Sequence, residues 1–360
     1  MNGIQQARTQ DIGPEWVNPC GVSSSFQGLW RLSEAAPPPH HDHLIVVTEE
    51  KHLRRVRDVL NMLPAESAVR QTLMVTGTAP RGEVSVCLVH VAGHSAESEH
   101  SAESGHSAES EHSAESGHSA ESGHSAESGH TVDSGQPAGR GQYVERLEVH
   151  PGRSFLPEML ESLVYPAMTN HVWWACEHTP GSDTLRDLAR LADQIILDTL
   201  TETPTLVACI LSDLSWERGT PWRRLVARTL DAPEHRAVLP GLQHAVVRYT
   251  AGDARPARLF AAWLMDRLGW EDAARVQLVA VHSERGAGDL DGLDLSGPGF
   301  FGFWDGTATD VRVRLTVGGS CQDRLLPLLP GSLVDGLAAL LAGSGDSSSQ
   351  LLRLARSVAT

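Results

Sequence analysis

The chain has 360 residues, a formal net charge of −16 and 18 histidines. One stretch accounts for much of this, because residues 94–135 hold nine acidic residues and seven of the histidines. Removing those nine charges from −16 leaves −7 on the other 318 residues. That remainder is rich in apolar side chains and long enough for two domains with hydrophobic cores.

Composition also excludes several classes of protein. No run of about 18 apolar residues is present, so we expect no membrane span. The first residues lack the basic and apolar regions of a secretory signal. The five cysteines are odd in number and never in CxxC spacing, which indicates reduced thiols and a cytoplasmic location. The acidic balance argues against nucleic-acid binding.

A hexapeptide unit, Ser-Ala-Glu-Ser-Gly/Glu-His, recurs from His94 to His130. Its largest apolar residue is alanine, so stacked repeats could not build the core of a β-helix. A period of six also fails to keep equivalent residues on one face of an α-helix. The tract cannot bury enough surface to offset its ordering entropy, so residues 93–140 are predicted to be a disordered insertion within the first domain.

The histidines of the tract raise the alternative of a metal-binding protein. In an extended chain, residues six apart are separated by roughly 18–20 Å, so two neighbouring imidazoles cannot share one ion without looping. A repeat expansion tolerated in a surface loop is therefore favoured over weak multivalent metal binding. The candidate ligands would be His94, His100, His106, His112, His118, His124 and His130.

The chain before the first strong strand signal, residues 1–43, is predicted to be a flexible N-terminal segment. It ends in His40, His41, Asp42 and His43. These residues could chelate a metal, but no second ligand cluster is evident in the sequence. A polar lead-in to the following strand is the favoured interpretation.

Residues 44–198 are predicted to form an N-terminal α/β domain. Apolar runs predict strands at 44–48, 72–75, 84–91, 143–149, 172–176 and 194–198. Helical spacing predicts helices at 49–63 and 155–164, and a third that Ser182 can cap. Alternating strands and helices predict an α/β fold of mixed sheets with covering helices.

Residues 199–360 are predicted to form a C-terminal α/β domain. Residues 206–214 are compatible with either a helix or a strand, and a helix is favoured because it would join another at 216–229. A glycine-rich loop is expected at 292–299. The remaining strands are predicted at 245–249, 276–281 and 311–316, and the remaining helices at 255–268, 333–341 and 351–355.

A search for catalytic motifs finds little. The sequence contains no GxxxxGK followed by Ser or Thr, no strand-linked GxGxxG, no HExxH and no GxSxG. We therefore predict no catalytic residue and no cofactor. One alternative remains open, a sugar-phosphate enzyme in which Arg223, Arg224, Arg255 and Arg258 clamp a phosphate.

The segment from Asp213 to Arg224 combines two tryptophans, a proline and three arginines in twelve residues. Such a mixture serves either core packing or the hot spot of a protein interface. Packing is slightly favoured, and both alternatives stay open. If the segment is an interface, the partner-binding residues would be Asp213, Trp216, Thr220, Trp222 and Arg223.

The sequence contains the runs Asp-Leu-Ser-Trp at 213–216 and Thr-Pro-Trp-Arg at 220–223, together with the pair Trp173-Trp174 and the segment 259–270. Together they resemble the glucose-6-phosphate dehydrogenase assembly protein OpcA family over roughly residues 40–330. The resemblance implies a non-catalytic accessory protein whose partner is glucose-6-phosphate dehydrogenase. It further implies a role in assembling the active oligomer of that enzyme, which begins the oxidative pentose phosphate pathway.

Overall fold

The structure is a computed structural model that describes residues 12–17, 21–33, 41–64, 69–77, 84–91, 142–150, 161, 163–164, 166–178, 180–198, 209–283, 289–307, 309–328 and 331–343. Two β-sheets and the helices packed on them form most of these residues, which confirms the predicted α/β class. None of the helices in these ranges has both the length and the apolar character needed to cross a membrane.

The first sheet has eight strands. In chain order they are β1 (Ile12–Val17), β2 (Asp42–Glu49), β3 (Val69–Thr76), β4 (Val84–Val91), β5 (Gln142–Val149), β6 (Thr169–Trp174), β7 (Gln194–Leu197) and β8 (Ile210–Asp213). Their order across the sheet is β1-β4-β5-β3-β2-β6-β7-β8. The six strands from β5 to β8 are parallel, whereas β4 and β1 are added antiparallel at one edge.

Strand β2 shows that this sheet is covered on both faces. Leu44, Ile45, Val46 and Val47 are all fully buried. Successive side chains of a strand point to opposite faces, so Leu44 and Val46 join one hydrophobic cluster and Ile45 and Val47 join another. The predicted strand at 44–48 is confirmed, and its unbroken apolar run is typical of a parallel strand buried on both sides.

The helices from the first half of the described chain that pack on the first sheet are α1 (Val22–Ser33), α2 (Leu53–Asn61) and α3 (Ser182–Leu191). A 3-10 turn at Glu50–His52 leads into α2, so the predicted helix at 49–63 is present with a tighter first turn. In α3 the residue at the N-cap is Gly181, whose position makes Ser182 the first helical residue rather than the predicted cap.

Part of the segment 1–43, which the sequence predicts to be flexible, forms regular secondary structure. Strand β1 pairs with β4, and α1 buries Phe26, Leu29 and Trp30 against the sheet. These three residues are spaced for one helical face, a signal that was present in the sequence. Asp42 and His43 lie inside β2 rather than in a lead-in, and His43 is fully buried.

The second sheet has six strands. They are β9 (His244–Thr250), β10 (Val276–Val281), β11 (Leu290–Gly297), β12 (Phe300–Gly306), β13 (Asp310–Val317) and β14 (Ser320–Pro327). Their order is β10-β9-β11-β12-β13-β14, with only the β10–β9 pair parallel. Successive hairpins therefore build most of this sheet.

Five further helices accompany the second half of the chain. They are α4 (Leu214–Arg218), α5 (Thr220–Leu230), α6 (Pro233–Arg236), α7 (Arg255–Leu268) and α8 (Leu333–Leu341). Helix α7 has the predicted bounds and lies against the second sheet. It ends at Gly269, whose φ of +64° is the left-handed conformation that favours glycine at this position.

Helix α8 returns the chain to the first sheet. Its Leu337, Leu340 and Leu341 join the cluster that contains Leu44 and Val46. Strand β8 also belongs to the first sheet, which therefore continues past residue 198, the predicted end of the first domain. The division into independently folding parts at 1–43, 44–198 and 199–360 stays a prediction.

Two local predictions in the second half are wrong. Residues 210–213 form a strand, not part of a helix over 206–214, because they extend the parallel sheet beside β7. Residues 292–297 lie within β11 rather than in a loop. A glycine fits at position 292 because the Arg248 guanidinium occupies the space that a Cβ atom would need. The predicted insertion at 93–140, its seven histidines and the helix at 351–355 lie outside the described residues.

Candidate functional site

The candidate site predicted from the sequence is built at the junction of β8, α4 and α5. Asp213 ends β8, and its carboxylate accepts a hydrogen bond of 3.1 Å from the backbone N–H of Trp216. This N-cap starts α4 directly after the strand. Gly219 separates α4 from α5, and Pro221 lies in the first turn of α5, where its missing N–H leaves no bond unmade.

The predicted partner-binding side chains are mostly buried here. Trp216 is 2% exposed, Trp222 4% and Arg223 9%. The Arg223 guanidinium lies 3.2 Å from the centre of the Trp216 ring and donates hydrogen bonds to the Trp216 carbonyl and to Thr220 Oγ1. Burial of these three side chains favours packing, so a direct role for them in partner binding stays a prediction.

This segment joins the cores of the two sheets. Leu214 belongs to the cluster of the first sheet, whereas Trp216 and Trp222 belong to that of the second. Arg218 pairs with Asp289 at 3.2 Å, which ties α4 to the residue just before β11. A displacement of α4 would therefore change the side-chain packing of both cores.

A cavity of about 480 Å³ lies beside this segment, between α5, α6 and α7. Its floor is apolar and includes the buried Trp263 and Leu264 of α7. Its charged lining residues are Glu217, Arg223, Arg224, Asp231, Arg236 and Arg267. We call it the arginine groove.

The four arginines predicted as a phosphate clamp do not converge on this groove. Arg223 is occupied by Trp216 and Thr220, and Arg255 pairs with Asp253 at 2.7 Å. Of the four, Arg223 and Arg224 line the groove. Arg236 and Arg267 were missed by the sequence reasoning, because only folding brings α6 and α7 beside α5.

A second cavity, of about 310 Å³, lies at the carboxyl ends of β2, β6 and β7. The chain runs from β2 to β3 on one side and later to β6 on the other, so this is the topological switch point of the parallel strands. Ligands of doubly wound folds bind at this position. The polar lining residues here are Lys51, His52, Arg55, Cys176, Glu177 and Asp198.

The residues at this switch point do not fit the pyrophosphate of a dinucleotide. A glycine-rich turn normally follows the strand at this position, whereas here β2 ends in Glu49 and is followed directly by Glu50 and Lys51. Lys51, the only lysine of the chain, pairs with Glu49 at 2.9 Å and with Glu177. The two carboxylates would repel a phosphate brought to this position.

Three side chains at the switch point could hold a metal ion, since ligand atoms of Glu49, His52 and Glu177 all lie within 4.8 Å of one another. The ammonium of Lys51 already pairs with both carboxylates. Its hydrogen bonds raise the pKa of Lys51 and lower the pKa of Glu177. The cluster is therefore explained as an ion-pair network.

Two groups beside this network are shifted by burial. Burial raises the pKa of the Cys176 thiol to about 12, so it is protonated and unreactive at neutral pH. Burial also raises the pKa of Asp198, although Arg218, Arg55 and Arg255 act in the opposite direction.

Comparison with known proteins identifies a family and two curated proteins that the chain resembles. Residues 209–342 match the family described as the C-terminal domain of a glucose-6-phosphate dehydrogenase subunit. Two curated relatives, from Nostoc punctiforme and Synechococcus elongatus, are both provisionally named OxPP cycle protein OpcA. Residues 209–342 of the chain are thus similar to the OpcA family. The resemblance predicted from the tryptophan-bearing segments is confirmed.

The extent of similarity to these OpcA relatives is limited. The Nostoc protein is 24% identical over 163 residues, covering 39% of this chain and 35% of the relative. The Synechococcus protein is 27% identical over 127 residues, covering 31% and 28%. The matched part of the chain spans about a third of the length of these OpcA proteins.

Solved structures show only a distant likeness. KijD10, a 3-ketoreductase from Actinomadura kijaniata in complex with TDP-benzene and NADP, in an open conformation, is 12% identical with a TM-score of 0.47. That match covers 89% of this chain and 97% of KijD10. An aldose-aldose oxidoreductase from Caulobacter crescentus, complexed with glycerol, is 12% identical with a TM-score of 0.35, covering 59% and 82%.

Proposed function

We propose that the chain is a non-catalytic accessory protein that binds glucose-6-phosphate dehydrogenase and favours its active oligomer, in support of the oxidative pentose phosphate pathway. The observation that carries this proposal is the family match over residues 209–342, whose description names a subunit of that dehydrogenase. The matched region contains α4, α5 and α7 together with the whole second sheet.

The switch point supports the non-catalytic part of the proposal. In a dehydrogenase of doubly wound fold, this position receives the phosphates of the nicotinamide cofactor. Here Glu49 and Glu177 occupy it together with Lys51. An accessory protein can keep the architecture of such a sheet without its cofactor chemistry, since fold alone does not set function.

An accessory protein of this kind acts through differential binding. It shifts the dehydrogenase towards an active oligomer only if it binds that oligomer more tightly than the inactive form. The affinity should therefore depend on the oligomeric state of the enzyme. We expect the exposed faces of α5 to contribute, because the predicted partner-binding residues lie on α4 and α5 beneath them.

The deciding experiment mixes the full chain with the dehydrogenase of the same organism. We expect a complex in light scattering, a larger mass of the enzyme oligomer, and a higher kcat or lower KM for the sugar phosphate. The isolated chain should show no turnover. Absence of a complex, or a complex that changes neither mass nor kinetics, would contradict the proposal.

A charge-reversal pair tests the surface. Arg228 is exposed on α5, and Arg190 is exposed on α3 of the first sheet. Arg228→Glu should weaken the complex, whereas Arg190→Glu should leave it unchanged. Equal weakening by both variants would point to general charge attraction, and no effect of Arg228→Glu would remove this face of α5 from the interface.

A further inference from the structure

The arginine groove has the dimensions of a small-molecule site. Its volume of about 480 Å³ lies within the range of roughly 300–1,000 Å³ that is usual for ligand pockets. Helices α5 and α7 form two of its walls, and α6 with the 3-10 turn at Leu239–Gly241 closes a third side. Its shape is thus set by regular secondary structure rather than by long loops.

The charge of the groove is unbalanced. Four arginines line it against two acids, Glu217 and Asp231. Arg236 pairs with Asp231, and Arg223 is bonded to Trp216 and Thr220. Arg224 and Arg267 are exposed and make no hydrogen bond or ion pair with any part of the chain that the structure describes.

Two unpaired guanidiniums from different helices therefore face one cavity. Guanidinium groups repel one another when they share a concave surface, and an anion between them removes that cost. A planar guanidinium also matches the oxygens of a phosphate through two parallel hydrogen bonds. Arg224 of α5 and Arg267 of α7 are consequently suited to hold a phosphate across the groove.

The rest of the lining is suited to an organic body. Trp263, Leu264, Leu230 and Val226 are buried side chains that form an apolar wall. Tryptophan presents a flat apolar surface to which the C–H face of a sugar ring can pack. The carboxylate oxygens of Asp231, which is exposed and pairs with Arg236, can accept hydrogen bonds from hydroxyl groups. An inorganic anion would leave this wall and these acceptors unused.

We propose that the arginine groove binds a small phosphorylated polyol of the sugar-phosphate class, with the phosphate between Arg224 and Arg267 and the polyol over Trp263. The proposal goes beyond the accessory role, since it gives this chain a ligand of its own. It concerns binding and requires no chemical step.

Calorimetry on the full chain tests the groove without any dehydrogenase, so its result is independent of the proposed function. Glucose 6-phosphate and fructose 6-phosphate are titrated at constant ionic strength, beside glucose and inorganic phosphate. We expect saturable binding of at least one sugar phosphate, at least about tenfold weaker binding of inorganic phosphate, and no binding of glucose.

Three variants locate the ligand. Arg224→Met and Arg267→Met should each weaken sugar-phosphate binding about tenfold or more. Arg228→Met is the matched control, because Arg228 is exposed on the same helix but faces a different cavity. All three residues are exposed, so we expect unchanged unfolding midpoints, which urea titration verifies.

Several outcomes would overturn the proposal. Sugar phosphates that fail to bind at millimolar concentration would remove the site, and so would equal losses in all three variants. Inorganic phosphate that binds as tightly as the sugar phosphates would reduce the groove to a general anion site. Binding of an acidic peptide in place of the sugar phosphates would make it part of a protein interface.

Discussion

The two sheets place their polar side chains in opposite environments. In the eight-stranded sheet a row of polar side chains is buried across the strands: His43, Gln71, Arg146, Asn170, His171 and Gln194. In the six-stranded sheet β13 alternates, with Val311, Val313 and Leu315 facing the core and Arg312 and Arg314 facing solvent.

Several members of the buried row are hydrogen-bonded from strand to strand. His43 Nε2 lies 2.8 Å from Thr72 Oγ1, and Gln194 Nε2 donates to Ser212 Oγ at 2.7 Å. His171 Nδ1 donates to Gln194 Oε1 at 2.6 Å. Because helices cover both faces of this sheet, water cannot replace these partners, and each polar group depends on its neighbour.

The second sheet needs no such network, because its outer face is open to water. There Arg312 and Arg314 both pair with Asp323 of β14 in exposed positions. The comparison indicates that stability in the first sheet depends on matched polar partners, whereas stability in the second depends on one apolar face. Each of the following changes separates these two dependences.

The largest effect is expected from Trp304→Ala in β12. Trp304 is fully buried in the core of the second sheet, and its Nε1 donates to Thr229 Oγ1 at 3.1 Å. Removing the ring should lower the free energy of unfolding by about 3–5 kcal/mol. Urea denaturation followed by far-UV circular dichroism measures this loss.

Phe301→Ala is the matched control, since Phe301 lies on the opposite face of the same strand and is 44% exposed. Its loss should lower the free energy of unfolding by less than about 1 kcal/mol. Similar losses for the two variants would contradict the assignment of a single apolar face to this sheet.

The next largest effect is expected from Arg146→Met in β5. Arg146 is buried and donates to Gln71 Oε1 through Nε at 2.9 Å and through Nη2 at 2.7 Å, and Nη2 also donates to Asn61 Oδ1. The variant leaves the buried carbonyl of Gln71 without these donors, which should cost about 1–3 kcal/mol of unfolding free energy.

Removing both partners tests whether this loss reflects the pairing. In the double variant Arg146→Met with Gln71→Leu the buried Gln71 carbonyl that lost its donors is removed, while Asn61 still lacks its bond from Arg146, so only part of the loss should be recovered. Strictly additive losses in the double-mutant cycle would show that Arg146 acts mainly through packing of its own chain rather than through Gln71.

The sequence predicted some parts of this comparison well. The unbroken apolar run of β2 and the amphipathic pattern of α7 are local signals, and the structure confirms both elements. The strand at 210–213 lies in a stretch for which a helix was favoured, because so short a run of residues is compatible with either a helix or a strand. Only its pairing with β7 decides between them.

The candidate site shows a different limit of prediction from the sequence. Trp216, Trp222 and Arg223 could be recognised as a distinctive group, but their burial depends on how the two cores meet at α4. Arg224 and Arg267 are 43 positions apart and become neighbours of one cavity only when α5 packs beside α7. No pattern within either helix carries that information.

A smaller effect is expected from Asp198→Asn at the carboxyl edge of the first sheet. Burial raises the folded-state pKa of Asp198 above its ordinary value of about 3.9. The folded state then holds a proton that the unfolded state has lost, so stability falls as pH rises from about 4 through the raised pKa. The variant should lack this slope.

Urea midpoints measured in steps between pH 4 and pH 8 test this prediction. The parent protein should lose stability with rising pH relative to Asp198→Asn, and the two curves should converge at the acidic end. A parent curve that rises relative to the variant would show that Arg55, Arg218 and Arg255 stabilise the carboxylate more than burial destabilises it.

The smallest effect on stability is expected at Asp323 on the open face of the second sheet, where the shift of pKa has the opposite sign. Hydrogen bonds from Arg312 and Arg314 lower the pKa of Asp323 to about 2. The associated stabilisation is present above the unfolded pKa of about 3.9 and is lost as pH falls through the folded value. Because the pair is exposed, the unfolding midpoint of Asp323→Asn at neutral pH should match that of the parent.

Carboxyl carbon chemical shifts followed by NMR measure this pKa directly. Arg312→Met should raise the pKa of Asp323 towards its ordinary value, while Arg324→Met should change it less, because Arg324 contacts Gln322 rather than Asp323. An ordinary pKa for Asp323 in the parent would mean that solvent screens these arginines. The charged side chains on the open face of the second sheet would then act independently of one another. They would differ in this from the polar side chains buried in the first sheet, which depend on hydrogen bonds to their neighbours.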